Sequence, residues 1–104
     1  MPQKTINGTV IDVTDDGYMT NRSQWNRQLA AALAAEEGIT LGDAHWRILD
    51  FVAKDFAEKS VVPGMRRMNK VGNIPTKELY DLFPDGPIKK AAKIGGFPKP
   101  ASCV

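Results

Sequence analysis

Glycine and proline cut this chain into short pieces. Breaks at Asn7-Gly8, Gly17, Gly38, Gly42, Pro63, Gly72-Asn73-Ile74-Pro75, Pro84-Asp85-Gly86 and Gly95-Gly96 leave no uninterrupted stretch longer than 20 residues. Gly and Pro are the strongest local punctuation, so each break reads as a turn or a helix stop. Such a chain can build only short elements, and short helices hold in water only when they pack against one another. At 104 residues the whole suffices for one domain with a core of modest size.

Local signals name the pieces. Thr5-Ile6-Asn7-Gly8-Thr9-Val10 sets Asn-Gly between β-branched runs, the signature of a type I′ hairpin turn, whose two central residues both take positive φ. Asp15-Asp16-Gly17 closes this β element. Asn21 or Ser23 is expected to cap a first helix running through Trp25, Leu29, Ala32 and Leu33 to Gly38. A second follows Thr40-Leu41-Gly42-Asp43; Trp46, Leu49, Ala53 and Phe56, spaced about one turn apart, mark its core face, and Lys54, Asp55, Glu58 and Lys59 lie mostly opposite. Pro63 opens a third helix around Met65 and Met68, and Thr76 caps a fourth. Pro87 at a first helical turn begins a fifth, Ile88–Ile94, stopped by Gly95-Gly96. Trp25, Trp46, Phe51, Phe56 and Phe83 read as core aromatics. The expected fold class is mostly α: a small orthogonal helical bundle of about five helices with an N-terminal β-hairpin and an extended, flexible C-terminal arm. Residues 1–96 form the domain and 97–104 the mobile arm.

Composition excludes several functions. No apolar run approaches the roughly 20 residues needed to cross a bilayer, and Met1–Val10 has neither the basic nor the apolar region of a signal peptide. The expected location is the cytoplasm, with no membrane partner. One Cys and one His allow neither an intrachain disulfide nor a structural zinc site, and no metal or cofactor is expected. No Gly-rich phosphate loop and no Ser-His-Asp pattern is present. The net charge of +2 hides a split: residues 1–59 hold six Lys/Arg against nine Asp/Glu, and residues 60–104 hold eight against three. A basic face meeting an anionic partner follows from that asymmetry.

The chemistry concentrates at the other end of the chain. Cys103 is the only strong nucleophile and the penultimate residue. Pro98 and Pro100 favour an extended backbone before it, the glycines at 95 and 96 supply a hinge, and the stretch to Cys103 can reach roughly 20–25 Å. Residue types alone leave two readings open: a thiol carried into a partner's cleft, or a disordered tail with an incidental cysteine. The Val104 carboxylate disfavours the thiolate, whose reference pKa is about 8.5, and Lys99 partly offsets this. Activation therefore comes from a basic surface or from a partner, which is the profile of a carrier.

The stretch from Leu82-Phe83-Pro84-Asp85-Gly86-Pro87 to Lys93-Ile94-Gly95-Gly96-Phe97-Pro98-Lys99-Pro100-Ala101-Ser102-Cys103-Val104 closely resembles the C-terminal signature of the DsrC/TusE family. That family comprises the gamma subunit of dissimilatory sulfite reductase and the relay protein of tRNA 2-thiolation. Asp16-Gly17-Tyr18, Trp25, Glu37-Gly38-Ile39, His45-Trp46 and Pro63 with Arg66 fall where its pattern places them. The resemblance implies a sulfur carrier whose penultimate cysteine, here Cys103, bears a persulfide or forms mixed disulfides with donor and acceptor proteins. Members serving sulfite reductase have a second cysteine in the last helix; the matching position here is Ala92, so two-cysteine closure is impossible. The single thiol fits the thiolation-relay type or sulfur oxidation, and a gamma-subunit-like partnership with a sulfite reductase is the alternative.

Arg66, Arg67, Lys89, Lys90 and Lys93, with Lys99, are the candidates for a surface that holds a persulfide anion or an acidic partner; Lys89 and Lys93 share a helix face. A guanidinium holds an anion with a fork of donors, which favours Arg66. A second reading makes the third and fourth helices a helix-turn-helix unit, with Arg66, Arg67, Lys70 and Lys77 on the phosphates of DNA or tRNA in transient contact. His45 reads as a capping or packing residue.

Overall fold

The computed structural model describes residues 2–100. Strands β1 (Gln3–Ile6) and β2 (Thr9–Asp12) pair antiparallel with Ile6 opposite Thr9. Asn7 and Gly8 take φ of 48° and 79°, the positive values a type I′ turn demands. One face of the hairpin buries Ile6 and Ile11, and a bridge from Val13 to Met19 extends it while Tyr18 and Met19 enter the core.

The first helix starts later than Asn21 suggests. Asn21 caps only a 3₁₀ turn at Arg22–Gln24, through its side-chain oxygen and the Ser23 amide. Trp25 then takes extended backbone, and Asn26 caps helix α1 (Arg27–Glu36) by accepting from the Leu29 amide at 2.7 Å. Neither Asn21 nor Ser23 is thus the cap of α1, and Trp25, in the extended segment between the 3₁₀ turn and α1, reaches across the molecule to Ile94. Helix α1 ends before Gly38, at φ +74°.

Helix α2 (Asp43–Lys59) is the long element, and its core face is turned relative to the aromatic spacing. Ile48, Leu49, Val52 and Asp55 are buried, whereas Trp46, Ala53 and Phe56 are half-buried at the margin. Asp55 is only 3% exposed, contrary to its expected outward position. Arg67 explains the inversion: it reaches from helix α3 (Met65–Lys70) and grips both carboxylate oxygens, so the buried charge is paired and hydrogen-bonded.

Helix α4 (Thr76–Leu82) has Pro75 at its cap position, and Thr76, expected as the cap, is its first helical residue. The Thr76 hydroxyl donates instead to Asn69, whose amide group donates to the Ile74 carbonyl and ties the turn. Helix α5 (Pro87–Ile94) opens on Pro87 as expected and buries Ile88, Ala91, Ala92 and Ile94. It packs against α1, α2 and α4, which makes it the hub of the core. Among the described residues the fold is five α-helices and one hairpin, mostly α as its sequence indicates.

Candidate functional site

The Cys103 thiol lies outside the described residues; the structure shows what leads up to it. Helix α5 ends in a Schellman motif. The Phe97 amide donates to the Ala92 carbonyl at 2.9 Å and the Gly96 amide to Lys93 at 3.3 Å, while Gly96 takes φ +75°. Side chains would not fit here. A Cβ on Gly96 would stand 2.6 Å from the Trp25 ring, and one on Gly95 2.5 Å from the Phe97 ring. The Trp25 indole N–H donates to the Ile94 carbonyl at 2.8 Å, satisfying one of the helix's terminal acceptors. The glycine pair expected as a hinge is therefore a closed helix end.

Phe97, expected as the first residue of the arm, is a core residue, 1% exposed, with its ring centroid 5.3 Å from that of Phe56. The Arg22 guanidinium lies over both Trp25, at 4.9 Å, and Phe97, at 4.4 Å. Burial pulls the Arg22 pKa down from its ordinary value. Beyond Phe97, Pro98 and Lys99 are exposed and Pro100 is buried. Lys99 pairs with Asp16 at 3.0 Å, an exposed contact of small energetic weight.

The expected basic residues are dispersed. Arg67 is bound to Asp55, and this bond holds its pKa above the usual value. Arg66 is exposed on α3. Lys89 is exposed and Lys90 and Lys93 half-buried on α5; Lys93 Nζ lies 5.2 Å from the Tyr18 ring centroid. The arginines stand on α3 and Lys89, Lys90 and Lys93 on α5, and helix α4 packs against both. The helix-turn-helix reading gains nothing from these positions. Helix α4 has seven residues, buries Leu79, and its Glu78 is held by Arg47.

His45 takes the structural role its position suggested. The Gly42 amide donates to Nδ1 at 3.1 Å, which leaves the proton on Nε2 for the Leu82 carbonyl at 3.0 Å. Its ring meets Phe83 edge-on at 5.2 Å. Sequence reasoning missed Arg22 and Arg27, which no motif marked. Arg27 lies over Trp46 at 3.9 Å. Their signal was proximity to Trp25 and Trp46, legible only once α1 and α2 are folded together. Among the described residues no cluster of His, Cys, Asp and Glu could hold a metal, and no helix is long and apolar enough to cross a membrane.

Comparison with known proteins agrees with this architecture. The family profile described as DsrC like protein matches residues 5–104. The chain is 40% identical to the sulfurtransferase TusE of Yersinia pseudotuberculosis, over 93% of this chain and 96% of that one. The solution structure of DsrC from Allochromatium vinosum superposes with a TM-score of 0.79 at 31% identity, covering 98% of this chain and 97% of the other. The oxidised gamma subunit of the dissimilatory sulfite reductase from Archaeoglobus fulgidus gives 0.77 at 30%, covering 99% and 100%. A family profile over residues 5–104, a relative at 40% identity over nearly the whole of both chains and solved structures that superpose over 98–99% of this one agree, and the chain belongs to the DsrC-like family.

Proposed function

We propose that this protein is a single-thiol sulfur carrier that accepts sulfane sulfur on Cys103 and passes it to a partner protein. One observation carries the reading: a chain 40% identical to a protein named sulfurtransferase TusE has Cys103 as its one cysteine, while position 92 of the last helix is a fully buried alanine. With one thiol the chemistry is transfer without an internal disulfide. The Cys103 thiolate attacks the outer sulfur of a donor persulfide; the donor's S–S bond breaks, the donor leaves as a thiolate, and Cys103 holds the persulfide. An acceptor thiolate repeats the attack on that outer sulfur and regenerates Cys103. Each step exchanges one S–S bond for another, so no outside oxidant or reductant enters.

Donor and acceptor are proteins, and a free thiol of this kind stays reduced in the cytoplasm, where we place the activity. The A. fulgidus relative is a sulfite reductase gamma subunit; Ala92 supports the relay reading over that partnership. Incubation with a persulfide-loaded sulfurtransferase tests the proposal. Intact mass should rise by one sulfur atom in the native protein and stay unchanged in Cys103→Ser. Equal loading of both overturns the assignment.

A further inference from the structure

Among the described residues, four of the fourteen lysines and arginines in this fold are spent on carboxylates. Lys4 pairs with Glu36, Arg47 with Glu78, Arg67 with Asp55 and Lys99 with Asp16. Arg22 and Arg27 differ. Each is held by aromatic rings, Arg22 by Trp25 and Phe97 and Arg27 by Trp46, and neither meets a carboxylate among the described residues. Stacking spends the face of a guanidinium and fixes its position, while the N–H donors in its plane remain unspent. Both arginines border one cleft of about 160 Å³ between the 3₁₀ turn and α2, with Trp25 and Phe97 as apolar wall and Asp50 on the rim.

We propose that this cleft docks an acidic segment of a protein partner, with one carboxylate between Arg22 and Arg27 and an apolar neighbour against the rings. The charge balance selects that occupant. Two guanidiniums and the Asp50 carboxylate leave a net charge of one, which matches a single carboxylate. Residues 1–59, to which all three belong, carry three more acids than bases, which disfavours a polyanion such as nucleic acid far more than a short segment with one or two carboxylates. Partial burial of Arg22 without a counter-ion adds to the gain when a carboxylate arrives. The inference rests on the carrier reading for its purpose. Phe97 forms part of the cleft and stands six residues before Cys103, so a partner gripped there lies within about 20 Å of extended chain from the thiol.

The test uses the Cys103→Ser protein, so that its outcome is independent of sulfur loading. The probe is an acetylated, amidated Leu-Glu-Glu-Leu peptide, followed through the NMR signals of the Trp25 and Trp46 indole N–H groups. Both signals should shift saturably, the Leu-Gln-Gln-Leu peptide should bind about tenfold more weakly, and added salt should weaken the Glu peptide. An Arg22→Gln/Arg27→Gln protein that keeps its folded spectrum should lose the response, and Arg22→Lys/Arg27→Lys, with charge but no fork, should retain part of it. Shifts that persist in the double Gln variant, that centre on α5, or that a single-stranded oligonucleotide produces more strongly overturn the proposal. Peptide binding by a protein whose native form fails to load sulfur would instead overturn the carrier reading and leave the docking surface standing.

Discussion

Asp55 has almost no contact with water, and Arg67 supplies its charged donors from a neighbouring helix. Removing one partner of such a pair costs more than removing both, because a buried charge is left without compensation. Arg67→Gln is therefore expected to lower the urea midpoint, and adding Asp55→Asn to recover part of the loss. A double-mutant cycle of unfolding free energies checks this; additive losses would show that the pair is not coupled. Position 55 also marks a limit of reading charge from sequence. A carboxylate on a helix is normally solvated, and only the fold reveals that position 55 lies on the Ile48–Val52 face with an arginine within reach.

At the level of elements, the ends of helices were harder to read than the helices themselves. Pro87 and the Gly95-Gly96 stop bracket α5 as the sequence indicates. That the glycines form a closed end was not legible, because a flexible joint and a Schellman motif ask for the same residue. The difference lies in Phe97, which supplies the apolar contact that commonly accompanies such a motif. Likewise the sequence reading sets the first cap at Asn21 or Ser23, whereas Asn26 caps α1 and Trp25, in the extended segment between, bonds to Ile94. The aromatic spacing shares only Leu49 with the buried face of α2, because it weights large side chains over Ile48 and Val52, which are fully buried. Gly96→Ala tests the closed end. Left-handed backbone costs an alanine about 1–2 kcal/mol, and the 2.6 Å approach to Trp25 adds to it. The variant should lose at least that much in urea unfolding; an unchanged midpoint would mean the motif opens freely.

Over the whole molecule, Tyr18 gathers charges from distant parts of the chain. Burial pushes its pKa up from the ordinary value of 10.0; Lys99 lowers it, and Asp16 and Glu37 raise it. Lys93 faces its ring from α5. The folded protein thus keeps the phenol proton to a higher pH than the unfolded chain does. The resulting stability is complete below about pH 10 and is lost as pH rises through the folded-state value. Denaturation midpoints of native protein and Tyr18→Phe from pH 8 to 11 should differ by a constant at the lower end. Above pH 10 the native protein should lose stability relative to the variant; parallel curves throughout would contradict the assignment. The candidate site divides in the same way between what sequence carries and what the fold adds. Cys103 and its family setting are legible from the residues, whereas Arg22 and Arg27 gain meaning only when the Trp25 segment, α1 and α2 come together.

The closed end of α5 has a mechanical consequence. A partner that tugs on the chain beyond Phe97 does not peel the helix from its last turn. The force passes through the buried ring to Phe56 and through the Ile94 carbonyl to Trp25, 69 residues away in sequence. The helix end is thus anchored to two distant parts of the chain, and a pull on the terminal stretch is shared across the domain.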